Sequence, residues 1–170
     1  MKNNNKESGY MQMQPTTVTE RINHGKYENY KEQFHRLKKA LGNGFYLEAI
    51  FIEYAILEDR ADAVLSYEGN EIIPKNEREF ISFARKKNRI IKLSEKKNSI
   101  TGRFFSQEFM EQVFNWVNRR NAVIHGLLKR TMTADELQSF ALEGKMLCET
   151  FRNKTRSYKR RVNKLKAVEE

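Results

Sequence analysis

The 170 residues suffice for one ordinary domain and fall short of two well-packed ones. Lysine and arginine total 32 against 22 aspartate and glutamate, a formal balance of +10, while 39% hydrophobic content excludes a wholly disordered chain. Two prolines and eight glycines argue against turn-dense all-β or collagen-like architectures, and a single cysteine, Cys148, excludes an intrachain disulfide framework and any Cys₂His₂ or Cys₄ zinc site.

Residues 1–25 are polar, with Pro15 followed by Thr16 and Thr17 and no visible period, so a disordered or loosely docked tail is expected. From Lys26 a helical period takes over. Tyr27, Tyr30, Phe34, Leu37 and Leu41 recur at three- and four-residue spacing, and Gly42-Asn43-Gly44 makes a good stop. A second helix follows, with Leu47, Ile50, Phe51, Tyr54, Leu57, Ala61, Val64 and Leu65 on one broad apolar face. It is expected to end near Tyr67, before Gly69-Asn70 and the turn containing Pro74.

The next segment sets Phe80, Ile81, Phe83, Ala84, Ile90, Ile91 and Leu93 against a cationic face of Arg85, Lys86, Lys87, Arg89 and Lys92. Residues 94–104 are polar, contain Gly102 and predict a loop. A fourth helix starts near Ser106 and buries Phe109, Met110, Val113, Phe114, Val117, Ile124, Leu127 and Leu128. The fifth opens on a capping box, Thr133 with Glu136 three residues on, and carries Leu137, Phe140, Ala141, Leu147 and Phe151. Between Arg152 and Lys166 it holds eight cations and no acid, which suits a solvated extension or, like the basic stretch from Arg85 to Lys97, a surface that tracks a phosphate backbone with affinity that falls with salt. No segment alternates with period two. The expected fold is all-α, an antiparallel bundle of about five helices.

No apolar stretch approaches the ~20 residues that cross a bilayer, and the first 14 residues lack the apolar core of a signal peptide. A cytoplasmic protein that meets no membrane is expected, in a reducing compartment. The positive balance favours an anionic partner, nucleic acid being the commonest.

The chemically informative stretch is Asn118-Arg119-Arg120-Asn121-Ala122-Val123-Ile124-His125-Gly126. Cleaving RNA by internal attack of a 2′-hydroxyl needs a base near neutral pH and a cation on the phosphorane-like charge. Histidine, with an unperturbed pKa of about 6.5, suits the first task. Arginine suits the second, because its planar fork grips two non-bridging oxygens. Asn121 lies four residues before His125, so a helix puts both on one face, where the amide can fix the imidazole tautomer. Arg120 and His125 are harder to reconcile. Five positions rotate about 140° on a regular helix, so the helix must break near Asn121 or the arginine must curl around it.

Arg120 through His125 resembles the Arg-x(4–6)-His motif of the HEPN superfamily, small all-α domains that often act as metal-independent endoribonucleases in toxin–antitoxin, abortive-infection and CRISPR-associated systems. The resemblance covers six residues, in the penultimate helix of a basic helical chain of suitable length. It implies a HEPN-like domain over residues 26–155 and a basic extension of the last helix over 156–170. It further implies a homodimer in which two motifs share one cleft, cleavage giving a 2′,3′-cyclic phosphate and a 5′-hydroxyl, no cofactor and no catalytic metal. Arg120, Asn121 and His125 would then be catalytic, Arg119, Lys129 and Arg130 would contact RNA, and Glu58 or Asp59 from the second helix would orient the arginine. An antitoxin protein is a further implied partner. One HEPN group paired with nucleotidyltransferase antitoxins carries a tyrosine two residues after the histidine; here that position is Leu127, so that pairing does not transfer.

Other readings stay open. His125 precedes Gly126, a candidate C′ glycine, and a cation at a helix C-terminus is stabilised by the dipole by about 0.3–1 kcal/mol. The Arg–His pair would then be structural, in a HEPN-like module that binds RNA or protein without cutting. Glu53, Glu58, Asp59 and Arg60, which interrupt or flank the apolar face of the second helix, would form surface pairs of little energy. Trp116 offers either a shelf for Arg120 or a core tryptophan, Tyr158 a base-stacking surface, and Cys148 a core position. A DNA-binding helical protein is a third reading, against which no helix-turn-helix turn is evident.

Overall fold

Helix boundaries in this chain are set by short polar side chains and by one glycine. In the computed structural model, which describes residues 18–67, 81–129 and 132–169, six helices and no strands are present among the described residues. They are α1 (Val18–Gly42), α2 (Tyr46–Tyr67), α3 (Phe83–Ser94), α4 (Ile100–Phe104), α5 (Gln107–Gly126) and α6 (Ala134–Glu169). The chain divides into two units, residues 1–32 and 33–170. The first contributes the opening turns of α1, which begins at Val18, inside the stretch expected as a tail. All packing below lies within the second.

Gly44 ends the α1–α2 turn with φ of 75°, a left-handed conformation that glycine adopts without a Cβ penalty. Ser82, Ser99 and Ser106 cap α3, α4 and α5, each hydroxyl accepting from a backbone N–H three residues on. The capping box closes as expected. The Thr133 N–H donates to the Glu136 carboxylate at 2.8 Å and the Glu136 N–H donates to Thr133 Oγ1 at 3.2 Å.

α2 and α6 make the most extensive helix–helix contact, with α3 and α5 against α2 and α4 wedged against α3 and α6. α2 buries Ala49, Ile50, Ile56, Leu57, Ala61 and Val64, and α6 buries Phe140, Ala141, Cys148 and Phe151. An aromatic cluster joins α4, α5 and α6: Phe105 lies 5.6 Å from Phe151 and 5.5 Å from Tyr158, and Phe109 lies 5.5 Å from Phe151. Full burial of such side chains contributes about 1.5–3 kcal/mol each.

Several sequence-based expectations need correction. The predicted loop at 94–104 contains the helix α4, because Ser99 caps it and Phe105 anchors its end in the core. Tyr158 cannot stack on a base, since its ring is fully buried in that cluster. The last helix is therefore packed well beyond Arg152. Lys86 and Lys87 do not belong to an open cationic face; they are buried and paired with Glu58 and Asp62, and with Glu111, respectively. Gly126 is not a left-handed C′ residue: it is the last residue of α5, followed by Leu127 with φ of −51°. The Gly69-Asn70 and Pro74 turn signals lie outside the described residues. No described helix is long and apolar enough to cross a membrane.

Candidate functional site

The core-facing stripe of α5 carries Met110, Val113, Trp116 and Val117, and Arg120 follows in register where that stripe runs out toward the surface. A cation arriving there must be paired or laid on π-faces. Arg120 does the second. Its guanidinium carbon sits 4.4 Å from the Tyr54 ring centroid and 4.9 Å from that of Phe51, both on α2. Nη1 donates to Asn121 Oδ1 at 3.0 Å. Nε is buried without a partner, and Nη2 makes no hydrogen bond among the described residues.

α5 is continuous through Asn121, so the 140° separation of Arg120 from His125 is not relieved by a break. The arginine instead turns toward Asn121, which shares an i, i+4 stripe with His125. The Asn121 carboxamide oxygen is occupied by the arginine. The His125 imidazole is exposed on the last turn and has no hydrogen-bond partner among the described residues. Trp116 does not shelve Arg120; it is fully buried, stacks on Phe140 at 5.1 Å and donates from Nε1 to the Phe140 carbonyl at 3.2 Å.

The acidic residues of α2 serve other partners. Glu58 accepts from Lys86 Nζ at 3.1 Å and from the Tyr54 hydroxyl at 3.5 Å, and Asp62 accepts from Lys86 at 2.9 Å. Asp59 pairs with its neighbour Arg60. Neither Glu58 nor Asp59 is hydrogen-bonded to Arg120, although Glu58 and Arg120 both address Tyr54. Burial chiefly, with the Glu58 charge, raises the Tyr54 phenol above its ordinary value and keeps it neutral. For Lys86 burial alone would lower the ammonium; the hydrogen bonds to Asp62 and Glu58 outweigh it and hold the pKa above the ordinary lysine value.

The expected RNA contacts scatter. Arg119 forms a two-pronged pair with Glu143, both N–O distances 2.9 Å, and lies 4.8 Å over the Phe140 ring, so its charge is already answered by α6. Lys129 is exposed in the turn after α5, and Arg130 lies outside the described residues. A groove of about 600 Å³ runs between α5 and α6 on the Arg119 side, lined by Ala122, Val123, Gly126, Phe140 and Glu143. It includes none of Arg120, Asn121 and His125.

The residue that sequence reasoning missed is Glu53. Its charge places it among the surface acids of the second helix; instead it is fully buried, and both carboxylate oxygens lack a hydrogen-bond partner among the described residues. Burial raises its pKa from 4.5 to about 9, so it is a neutral acid at physiological pH. Gly144 and Trp116 crowd it, since a Cβ at position 144 would collide with the carboxyl and the indole. The Cys148 thiol donates to the Glu53 carbonyl at 3.4 Å, and burial pushes that thiol well up. The signal was its spacing: Ala49, Ile50, Ile56 and Leu57 flank it at helical intervals.

Among the described residues no group of three or more His, Cys, Asp or Glu side chains converges as a metal site. Comparison with family models, with curated proteins and with solved structures finds no match for this chain.

Proposed function

We propose that the protein is a HEPN-like, metal-independent endoribonuclease of the kind used in prokaryotic defence or toxin–antitoxin pairs. The observation that supports this most is the state of Arg120. Its guanidinium is held by two rings and one asparagine, yet it spends a single hydrogen bond and keeps donors for a phosphate. One stripe around the same unbroken helix, His125 offers an exposed imidazole. In this scheme His125 assists removal of the 2′-hydroxyl proton while the 2′-oxygen attacks phosphorus. The P–O5′ bond breaks, the leaving oxygen takes up a proton, and a 2′,3′-cyclic phosphate remains. Arg120 stabilises the extra charge on the non-bridging oxygens. Asn121 positions the arginine, a change from the histidine-positioning role its spacing suggests.

The angular gap between Arg120 and His125 favours a homodimer, in which the imidazole of one protomer works beside the guanidinium of the other. The test is RNA cleavage in EDTA by the wild type, Arg120→Ala and His125→Ala. Loss of cutting in both variants, with the fold retained, is expected. Cutting that survives both substitutions would place the activity elsewhere.

A second proposal has its own observation. Arg120 Nε is sealed and its guanidinium lies over the Phe51 and Tyr54 rings, as that of a purely structural arginine would. A HEPN-like module that binds RNA or protein without cleaving would show binding with no cutting of any RNA.

A further inference from the structure

The C-terminal half of α6 sorts its cations into two groups. Lys154 lies 5.0 Å over the Phe109 ring, Lys159 and Lys166 lie 5.0 and 5.8 Å over Tyr67, and Arg152 lies 4.8 Å over Phe34. These four help seat the helix on its neighbours. Arg156, Arg160, Arg161 and Lys164 are exposed and have no ion-pair or ring partner among the described residues. Three of them, Arg156, Arg160 and Lys164, follow one another at four-residue steps and continue the line that Arg152 begins. Each step advances about 6 Å, so the ridge is about 18 Å long.

Like charges at i, i+4 repel and weaken a helix. The stretch 150–168 contains no acid to relieve them, although Glu149 stands just before it and Glu169-Glu170 just after. The helix is nonetheless anchored, because Phe151, Thr155 and Tyr158 are buried on its other side. A rigid, unrelieved line of cations held outward by a packed helix is what a line of phosphates requires.

We infer that this ridge docks the phosphate backbone of double-stranded RNA, independently of sequence. Taking RNA as the polyanion rests on the function proposed above; the ridge itself uses none of those residues. Two features select a duplex. The aromatic residue within the basic run, Tyr158, is fully buried, so the run itself offers bases no ring to stack on, as single-strand binding would need. The apolar side of this part of α6 is spent on the protein core, so it has no face to insert into a bilayer, as an interfacial helix would need.

The test is fluorescence anisotropy with a 20-base-pair RNA duplex, the matching single strand, and phosphatidylserine vesicles, over a salt series. The comparison is between the full chain and a variant combining Arg156→Gln, Arg160→Gln and Lys164→Gln; glutamine preserves helix propensity, and circular dichroism checks the fold. The duplex should bind at least tenfold more weakly to the variant, and the slope of log K against log salt should fall by about 3. In an Arg120→Ala/His125→Ala background, which cannot cut the duplex, the three glutamine substitutions should still weaken binding at least tenfold. Absence of cutting by the wild type, with this ridge dependence present, sinks the nuclease and keeps the ridge. Normal duplex affinity in the folded glutamine variant, a stronger affinity for the single strand, or vesicle binding without duplex binding would each overturn the inference.

Discussion

Arg120 and Asn121 are neighbours in the chain, and their side chains close a 3.0 Å hydrogen bond along the surface of α5. With Phe51 and Tyr54 beneath, that bond fixes where the guanidinium points. Asn121→Ala should free the arginine without disturbing the core, because Asn121 is only half-buried. Single-turnover cleavage should fall by up to about a hundredfold, as misplacement of a catalytic group does. The thermal midpoint should hardly move. An unchanged cleavage rate would remove Asn121 from the site.

The continuous α5 makes a prediction about subunits. If the guanidinium of one protomer serves the imidazole of the other, equal mixing of Arg120→Ala and His125→Ala chains regenerates one intact site in each mixed dimer. About a quarter of wild-type turnover should return after exchange. A site contained in one protomer would return none. Refolding the two variants together and measuring the rate distinguishes these.

Glu53 predicts an unusual dependence of stability on pH. Its folded pKa, about 9, lies above the 4.5 of the open chain, so between these values the folded state binds more protons than the unfolded one. Stability from the neutral carboxyl is fully present below pH 4.5 and is lost as pH rises toward and through 9. The slope reaches about 1.4 kcal/mol per pH unit. Glu53→Gln removes the titration and should flatten the curve, becoming more stable than wild type at pH 8 by a few kcal/mol. Urea unfolding at pH 5 and pH 8 checks this. Parallel curves for the two proteins would contradict it.

Gly144 should be replaceable only at a cost. A methyl group there meets the Glu53 carboxyl and the Trp116 ring, so Gly144→Ala should destabilise by about 1–3 kcal/mol. Part of that should vanish when Glu53 is also truncated to alanine. A double-mutant cycle by urea denaturation should give a coupling of about 0.5 kcal/mol or more. Strict additivity would mean that the two residues do not crowd each other.

Much of the architecture was legible in the sequence where local chemistry settles it. The Thr133–Glu136 box, the Gly44 turn and the helical spacing of Ile50, Leu57 and Val64 each specify structure within a few residues. What escaped depends on partners distant in sequence. Lys86 is indistinguishable from a surface lysine until Glu58 and Asp62 arrive on a helix some 25 residues earlier. Tyr158 looks like an exposed ring in a basic run until Phe105 packs on it. At the site, Arg120, Asn121 and His125 were named from a spacing, whereas the rings against which the arginine lies, Phe51 and Tyr54, were visible only as apolar positions of α2. Glu53 carried a usable signal, an acid in the middle of an apolar stripe. Its burial was missed because a charged residue on a half-exposed helix is usually solvated, and only neutralisation makes this one tolerable.

The chemistry of the cut ends tests the proposed reaction most directly. A defined RNA incubated with the protein in excess EDTA, followed by mass spectrometry of the fragments, should yield a 2′,3′-cyclic phosphate on the upstream piece and a 5′-hydroxyl on the downstream one. His125→Ala should yield neither. Fragments ending in a 3′-hydroxyl and a 5′-phosphate, or cyclic ends produced equally by the histidine variant, would contradict catalysis by this Arg–His pair.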